Sequence, residues 1–378
     1  MTGSGSADVV IVGGGVIGLS IAWRAAEAGF RVTVCDPDPG RGASWVAAGM
    51  LAPVTEAAVV EAALTSLGLV SARMWPTFAA EVEAASGIDP CLRSDGTLVV
   101  AFDSDDRRAL EELLAVHRAL GLSSEWLSPG ECRRLEPLLS PRVRGGVAVA
   151  GDWQVDNRAL LGALVGAGHN CNVEMLRKAV VCLRGDGTRI DGVELDDGEV
   201  LRPAVVVLAA GAWSGQVGGV PPSARPPVRP VRGEIIRLSG PADDPVLLRT
   251  VRACVRGRSV YLVPRRNGEV VVGASMQEAG FASTVRAGAI SELLGDAIAV
   301  VPAVAELDLV ETTARLRPGT PDNGPILGPT PVDGLLLATG HHRNGILLAP
   351  LTALALVAVL RGESLPVEAK AFTLERFG

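Results

Sequence analysis

The chain has 378 residues, 48% apolar and 20% charged, with a formal net charge of −7 and a pI near 5.3. That length suits two domains or one large one with a sizeable core. An acidic balance without a basic tract argues against nucleic acid or an anionic membrane surface as a partner. Lys178 and Lys370 are the lysines, so arginine carries nearly all the positive charge and a lone arginine says little by itself. The cysteines, at 35, 91, 132, 171, 182 and 254, form no pair with CxxC or metal-site spacing. Cys35, Cys182 and Cys254 fall in apolar or strand-like runs and read as buried free thiols in a reducing compartment. The opening MTGSGSADVV lacks a basic n-region followed by an apolar run, and reads as a short flexible lead. The longest apolar run, 346–360, contains Pro350 and falls short of the roughly 18 residues that span a bilayer. A cytoplasmic protein without metal is expected.

In chain order, DVVIV (8–12) is a short buried strand, Gly13-Gly14-Gly15 a turn, and VIGLSIAWRAAEA a helix that Gly29 stops. RVTVC is a second strand ending at Asp36, which completes a βαβ opening. Residues 56–86 read as helical, 97–102 as a strand, 104–120 as a charged helix, and SPGECRRLEP as a loop with a short helix. A strand is expected at 146–150, and Asp156 or Asn157 caps the helix that begins RALLGAL. Residues 179–183 and 190–195 form a hairpin, 204–214 a buried strand, and PPSARPPVRP a connector. Strands follow through 274, then a helix near 285–300, a strand near 307–313, and a last strand and helix. The fold class is α/β: a Rossmann-like βαβ nucleotide domain with an interleaved domain built on an antiparallel sheet. The division expected is 1–90, 145–215 and 316–378 for the first, 91–144 and 216–315 for the second.

Gly13-x-Gly15-x-x-Gly18 follows a strand and opens a helix. Its glycines permit the tight turn, approach to a pyrophosphate and close helix–strand packing. The helix N-terminus offers free N–H groups to phosphate. Asp36, at the end of the second strand, is placed to accept from a ribose hydroxyl. An acid there disfavours a 2′-phosphate and leaves NAD and FAD open. The loop GRGASWVAAGMLAP (40–53) is small enough to lie against a flat ring, or is an ordinary small-residue loop.

Six stretches together carry a resemblance: VVIVGGGVIG, GASWVAAGML, VYLVPR, VVGASM, LRPGTPDNGPILG and GHHRNGILLAP. On these the chain resembles the D-amino-acid oxidase family of flavoproteins, in its glycine oxidase branch. The resemblance implies non-covalent FAD, since no cysteine lies near the LRPGT stretch where related sarcosine oxidases attach flavin. It implies FAD contacts at Val16, Ile17, Asp36, Pro37, Ala43, Ser44, Ala48, Gly49 and Met50, beside Gly13, Gly15 and Gly18. Val180 would meet the adenine side through its backbone. His341, His342, Arg343, Asn344, Gly345, Ile346 and Leu347 would run along the flavin. Arg343 would bind the substrate carboxylate with help from Arg317 and Tyr261, and Met276 would line the pocket. Trp45 and GDWQVDNRAL (151–160) depart from the family's pattern.

The reaction implied is oxidation of glycine, or small amines such as sarcosine, by oxygen, supplying the glycine imine for thiazole synthesis in thiamine biosynthesis. A buried substrate carboxylate needs a cation, and the arginine fork suits it. No general acid or base is named, because the free amine and hydride transfer to flavin suffice. Taken without the resemblance, Arg343 is a solvated loop arginine, Arg317 an ion-pair partner of Glu311 or Asp322, Met276 core, and His341 and His342 structural. Two other functions stay open: a D-amino-acid, sarcosine or D-proline oxidase or dehydrogenase, and a non-catalytic flavin-bearing subunit of a complex. The expected partners are a small amino acid and oxygen, and the chain alone leaves a homo-oligomer open.

Overall fold

The structure, a computed structural model, describes residues 7–378, so most of the N-terminal lead lies outside it. Its first sheet has six strands, in the order Ile326–Pro329, Leu335–Thr339, Val205–Leu208, Val9–Val12, Val32–Cys35 and Glu174–Leu176. All pairings are parallel except that of the edge strand Ile326–Pro329. Strands such as VVIV and VVVL are apolar throughout because helices or loops cover both faces of a parallel sheet. The first helix, Val16–Glu27, packs with the long helix Ala62–Ser86, the helix Asn157–Asn170 and the last helix, Gly345–Leu360, in one core.

The second sheet has eight strands, ordered Asp308–Gly319, Arg229–Ser239, Glu269–Gly273, Arg258–Pro264, Thr250–Val255, Thr97–Ala101, Gly145–Val149 and Glu125–Leu127. Its pairs are antiparallel but for Thr250–Val255 beside Thr97–Ala101. A second core lies under it, against the helix Ala287–Val300. Gly145–Val149 thus pairs outside the nucleotide half, and Asp308–Gly319 runs unbroken through the expected boundary at 315. Strand propensity alone says nothing of which sheet a strand joins. We propose that the boundary expected at 144 falls near 150.

The hairpin Val180–Gly185 and Ile190–Leu195 and the helix capped by Asp156 form as read. The long helix starts at Ala62, not at 56, because tertiary hydrogen bonds hold 54–58 in a turn. Cys182 and Cys254 are partly exposed, whereas Cys35 and Cys132 are buried; none is paired. Among the described residues no helix is long and apolar enough to cross a membrane.

Candidate functional site

The parallel strands Val9–Val12, Val32–Cys35 and Val205–Leu208 end at one crevice, and strand order reverses there, as where nucleotides bind in open α/β sheets. A cavity of about 760 Å³ starts at this crevice and reaches the second sheet. That lies within the range of about 300–1,000 Å³ for cofactor and ligand sites. Its first end is lined by Gly13, Gly15, Val16, Ile17, Asp36, Pro37 and Val180. Asp36 accepts from Gly14 N–H at 2.7 Å and Asp38 N–H at 2.8 Å, which fixes the carboxylate at the tip of its strand. Ser44 Oγ accepts from Val16 N–H at 3.1 Å, joining the 43–50 loop to the helix N-terminus.

Ala43, Ser44, Ala48, Gly49 and Met50 line the middle. Their backbone is held from the other sheet. Arg265 donates to Ala48 O at 2.6 Å, to Val155 O at 3.1 Å and to the side chains of Gln154 and Asn157. Asn157 Nδ2 donates in turn to Ser44 O and Trp45 O at 2.9 and 2.8 Å. Gly49 has φ +74°, and a Cβ there would collide with Val155 O. Trp45 stays outside the cavity lining, between the guanidinium groups of Arg41 and Arg158 at 3.6 and 4.3 Å from its ring centre. Neither departure from the family's pattern lines the cavity.

His341, His342, Arg343, Asn344, Gly345 and Ile346 line the far end, at the N-terminus of the last helix. His341 is buried against Thr352 Oγ1 at 3.0 Å, and burial pushes its imidazole down to about 3. His342 sits at φ 47°, its N–H on Pro318 O at 2.9 Å, and both ring nitrogens lack partners. Burial, then Arg317 and Arg343, push it down to about 4. Both rings are neutral near pH 7.

Two expected contacts lie outside the lining. Gly18 packs beneath Gly13, where a Cβ would strike Gly13 O, so it serves the close approach of helix to turn. Leu347 is buried, and its carbonyl accepts from Ser71 Oγ at 2.6 Å and Trp75 Nε1 at 3.0 Å. One helical step past Ile346, the chain has turned away from the cavity.

Arg317, Tyr261, Met276 and Arg343 converge on the cavity's far end. Arg317 donates to Ser275 O at 3.1 Å, while Glu311 pairs with Arg158 and Asp322 with Arg376, so neither acid claims Arg317. Burial, opposed by Arg317 and Arg252, raises the Tyr261 hydroxyl, which remains a donor. Met276 is 63% exposed and is rim, not core. Arg343 is no free loop arginine: its Nε lies 2.8 Å from Glu56 Oε2. Arg252 Nη1 reaches Glu56 Oε1 at 3.0 Å and Thr55 Oγ1 at 3.1 Å. Burial alone would raise the Glu56 carboxyl, but Arg252 and Arg343 together hold it below its ordinary value. Glu56 and Arg252 both line the cavity and were missed. Glu56 lay in a stretch that read as helix, and Arg252 was one arginine among many.

The fit to a flavin dinucleotide rests on the glycine cradle at one end, the small-residue loop in the middle and the unpartnered His342 nitrogens at the other. Comparison with known proteins agrees. Residues 8–359 match the family described as FAD dependent oxidoreductase. The chain is 35% identical over 356 residues to the bifunctional protein ThiO/ThiG of Nostoc sp., covering 93% of this chain and 52% of that one. It thus spans about half the length of such relatives. It is 30% identical to the hydrogen cyanide synthase subunit HcnC of Pseudomonas aeruginosa, covering 98% and 96%. The crystal structure of glycine oxidase from Geobacillus kaustophilus superposes with a TM-score of 0.89 at 32% identity, over 97% of this chain and 98% of that one. The chain belongs to the DAO family of FAD-dependent oxidoreductases.

Proposed function

We propose that the chain oxidises glycine, and small amines such as sarcosine, to an imine. Water converts the glycine imine to glyoxylate and ammonia, and oxygen is reduced to hydrogen peroxide. The imine serves thiazole synthesis in thiamine biosynthesis. The observation that carries this reading is the convergence of Arg317, Tyr261 and Arg343 at the end of the cavity away from the dinucleotide fingerprint.

Bound FAD supplies the acceptor for the hydride that leaves the substrate's α-carbon. The chain's own residues bind and orient. The Arg317 fork and the Tyr261 hydroxyl take the substrate carboxylate, which a closed cavity could not hold unpaired. Arg343, oriented through Nε by Glu56, directs its Nη groups to the same carboxylate. The substrate reacts as the free amine, its proton already left to solvent, so no side chain acts as general base and the two histidines stay neutral. The free N–H groups at the start of Gly345–Leu360, which line the cavity, would favour negative charge on a flavin held there. The same reading sets the reaction in the cytoplasm, with a small amino acid and oxygen as partners.

The test is anaerobic addition of glycine, sarcosine, D-alanine, D-proline and L-alanine, followed by absorbance. Glycine and sarcosine bleach the flavin and L-alanine does not. A clear preference for a bulky D-amino acid would move the reading to a D-amino-acid oxidase. The match to HcnC covers as much of the chain and favours a second reading, a flavin-bearing subunit that works only within a complex. Glycine turnover with oxygen by the isolated chain decides between the two.

A further inference from the structure

The stretch 151–160 supplies a second buried group besides those that hold the 43–50 loop. Asp152 has no exposed surface. Its carboxylate accepts from Val54 N–H at 2.9 Å and Thr55 N–H at 3.0 Å, across 98 and 97 positions of chain. The opposite side of the turn is held too: Val54 O meets His117 Nε2 at 2.9 Å, and His117 Nδ1 meets Ser124 Oγ at 2.7 Å. The next side chains in the turn touch Arg252 and Arg343, both of which line the cavity. Thr55 Oγ1 and Glu56 Oε1 accept from Arg252, and Glu56 Oε2 pairs with Arg343.

A turn without regular secondary structure has no ladder of its own to fix it, so side chains must satisfy its backbone. Here two buried side chains, from separate parts of the chain, do so at consecutive residues. A carboxylate buried at a cost in desolvation has to return that cost in hydrogen bonds. What the turn presents to the cavity is Glu56, set between two guanidinium groups.

We propose that Asp152 is a positioning residue for substrate binding: it fixes the 54–56 turn, and through Glu56 it sets the guanidinium of Arg343. The proposal rests on the reading that Arg343 and Arg317 receive a substrate carboxylate. Asp152 touches neither substrate nor flavin.

The clamp also has a pH limit. Burial raises the Asp152 carboxyl to about 6, against the pull of Thr55, the backbone of Val54 and Arg252. The charged and titratable groups around it are Arg252 on its strand, Glu56 on the turn and His117 on the helix Ser104–Ala119, whose imidazole burial holds below its ordinary value. Once protonated, Asp152 presents a hydroxyl to a turn that needs two acceptors.

The experiment compares wild type with Asp152→Asn, Asp152→Glu and Glu56→Gln as holoenzymes. Three quantities are read: dissociation of acetate (a bare carboxylate probe) from perturbation of the flavin spectrum, glycine KM and kcat, and amide hydrogen exchange across 53–58. Asp152→Asn weakens acetate and raises KM roughly tenfold, as for a lost hydrogen bond to a charged group, with kcat and flavin content within about twofold. Exchange at Val54 and Thr55 speeds up. Glu56→Gln weakens acetate similarly but keeps the exchange protection, and Asp152→Glu restores part of both. In wild type, acetate binding weakens as pH falls through about 6, and in Asp152→Asn this step is gone. Acetate affinity unchanged in Asp152→Asn overturns the proposal. So does a parallel loss of flavin, kcat and affinity, which would mark a merely structural residue; should Asp152→Asn fail to fold, Asp152→Glu and the wild-type pH step decide. Because acetate and exchange need no turnover, failure of the glycine reading shows separately, as acetate binding without glycine oxidation.

Discussion

The guanidinium of Arg317 lies against the backbone of Gly233, on the strand paired with its own: a Cβ built there comes nearer than 3.0 Å to Nη1, Cζ and Nη2 together. Tyr261 has the same relation to Gly273 on its own neighbouring strand, Glu269–Gly273. Two of the three side chains assigned to the substrate carboxylate thus lie over strand positions without a side chain. Gly233→Ala pushes the flexible end of Arg317 aside rather than breaking the sheet. The expected result is retained FAD and a fall in kcat/KM of roughly tenfold or more, in line with about 1.4 kcal/mol of lost transition-state binding. Steady-state kinetics beside flavin content check it, and a variant within twofold of wild type would refute the placement.

Arg343→Met is expected to keep fold and FAD while losing carboxylate affinity. The Arg343 side chain is 39% exposed, so solvent screens part of the interaction, and a fall of roughly ten- to a hundredfold in kcat/KM is expected, as for a lost hydrogen bond to a charged group. Arg343→Lys loses less, because a point charge replaces only part of the fork. The control is Arg108→Met, where the arginine is exposed and pairs with Asp105 on one helix.

Acid precipitation is expected to release the flavin into the supernatant. Cys35 is the cysteine that lines the cavity, and burial, with Glu174 next, pushes its thiol up to about 12. A thiol held protonated is a poor nucleophile. Yellow colour remaining on the precipitate would show a covalent bond.

His341 and His342 lie at about 3 and about 4 in the folded chain, below the ordinary 6.5. Between those values the unfolded chain binds protons that the folded chain does not. Their contribution to stability is therefore present above about 6.5 and lost as pH falls through the folded values. Asp152, raised to about 6, opposes this trend, so a difference between proteins is the useful quantity. Urea midpoints at roughly pH 7 and pH 5 should fall less in His341→Asn than in wild type. Equal falls would mean that His341 is charged in the folded state.

Arg265→Met should cost both stability and flavin. It removes the donor from Ala48 O, Val155 O and Gln154 Oε1, and each buried acceptor left unpaired costs about 1–3 kcal/mol. The 43–50 loop would lose the tie through Ala48 O to the second sheet. A lowered urea midpoint with a weaker Kd for FAD is expected, and a change in neither would show the tie to be dispensable.

The dinucleotide end was legible because its signals are local. A glycine turn between a strand and a helix, with an acid at the next strand's tip, can be read from some thirty residues of sequence, and the helix capped by Asp156 announced itself in the same way. The resemblance then named Arg317, Tyr261, Met276 and Arg343, and the structure puts all four on one cavity, while Gly18 and Leu347 fall just outside it. What sequence left hidden was tertiary. Residues 56–61 have the composition of a helix, but Asp152 and His117 hold the preceding turn and overrule that propensity. Glu56 could not be recognised from its neighbours, because what makes it part of the site is Arg252, Arg343 and a turn anchored from far away. GGVAV at 145–149 reads as a strand in any sheet, so its partner was beyond reach.

The order of the first sheet also governs when this protein can take up its cofactor. Val9–Val12, which begins the fingerprint, has Val32–Cys35 on one side and Val205–Leu208 on the other, and the latter leans on Leu335–Thr339. Although the glycine turn precedes its partner strand in the chain, its crevice gains a second wall only some two hundred residues later. The stretch that closes the far end, 341–346, comes later still. Parallel pairing between such distant segments is slow, because loop closure precedes any gain from contact. FAD capture is therefore a late event, and a nascent chain halted before residue 335 would carry the fingerprint without the means to retain the dinucleotide.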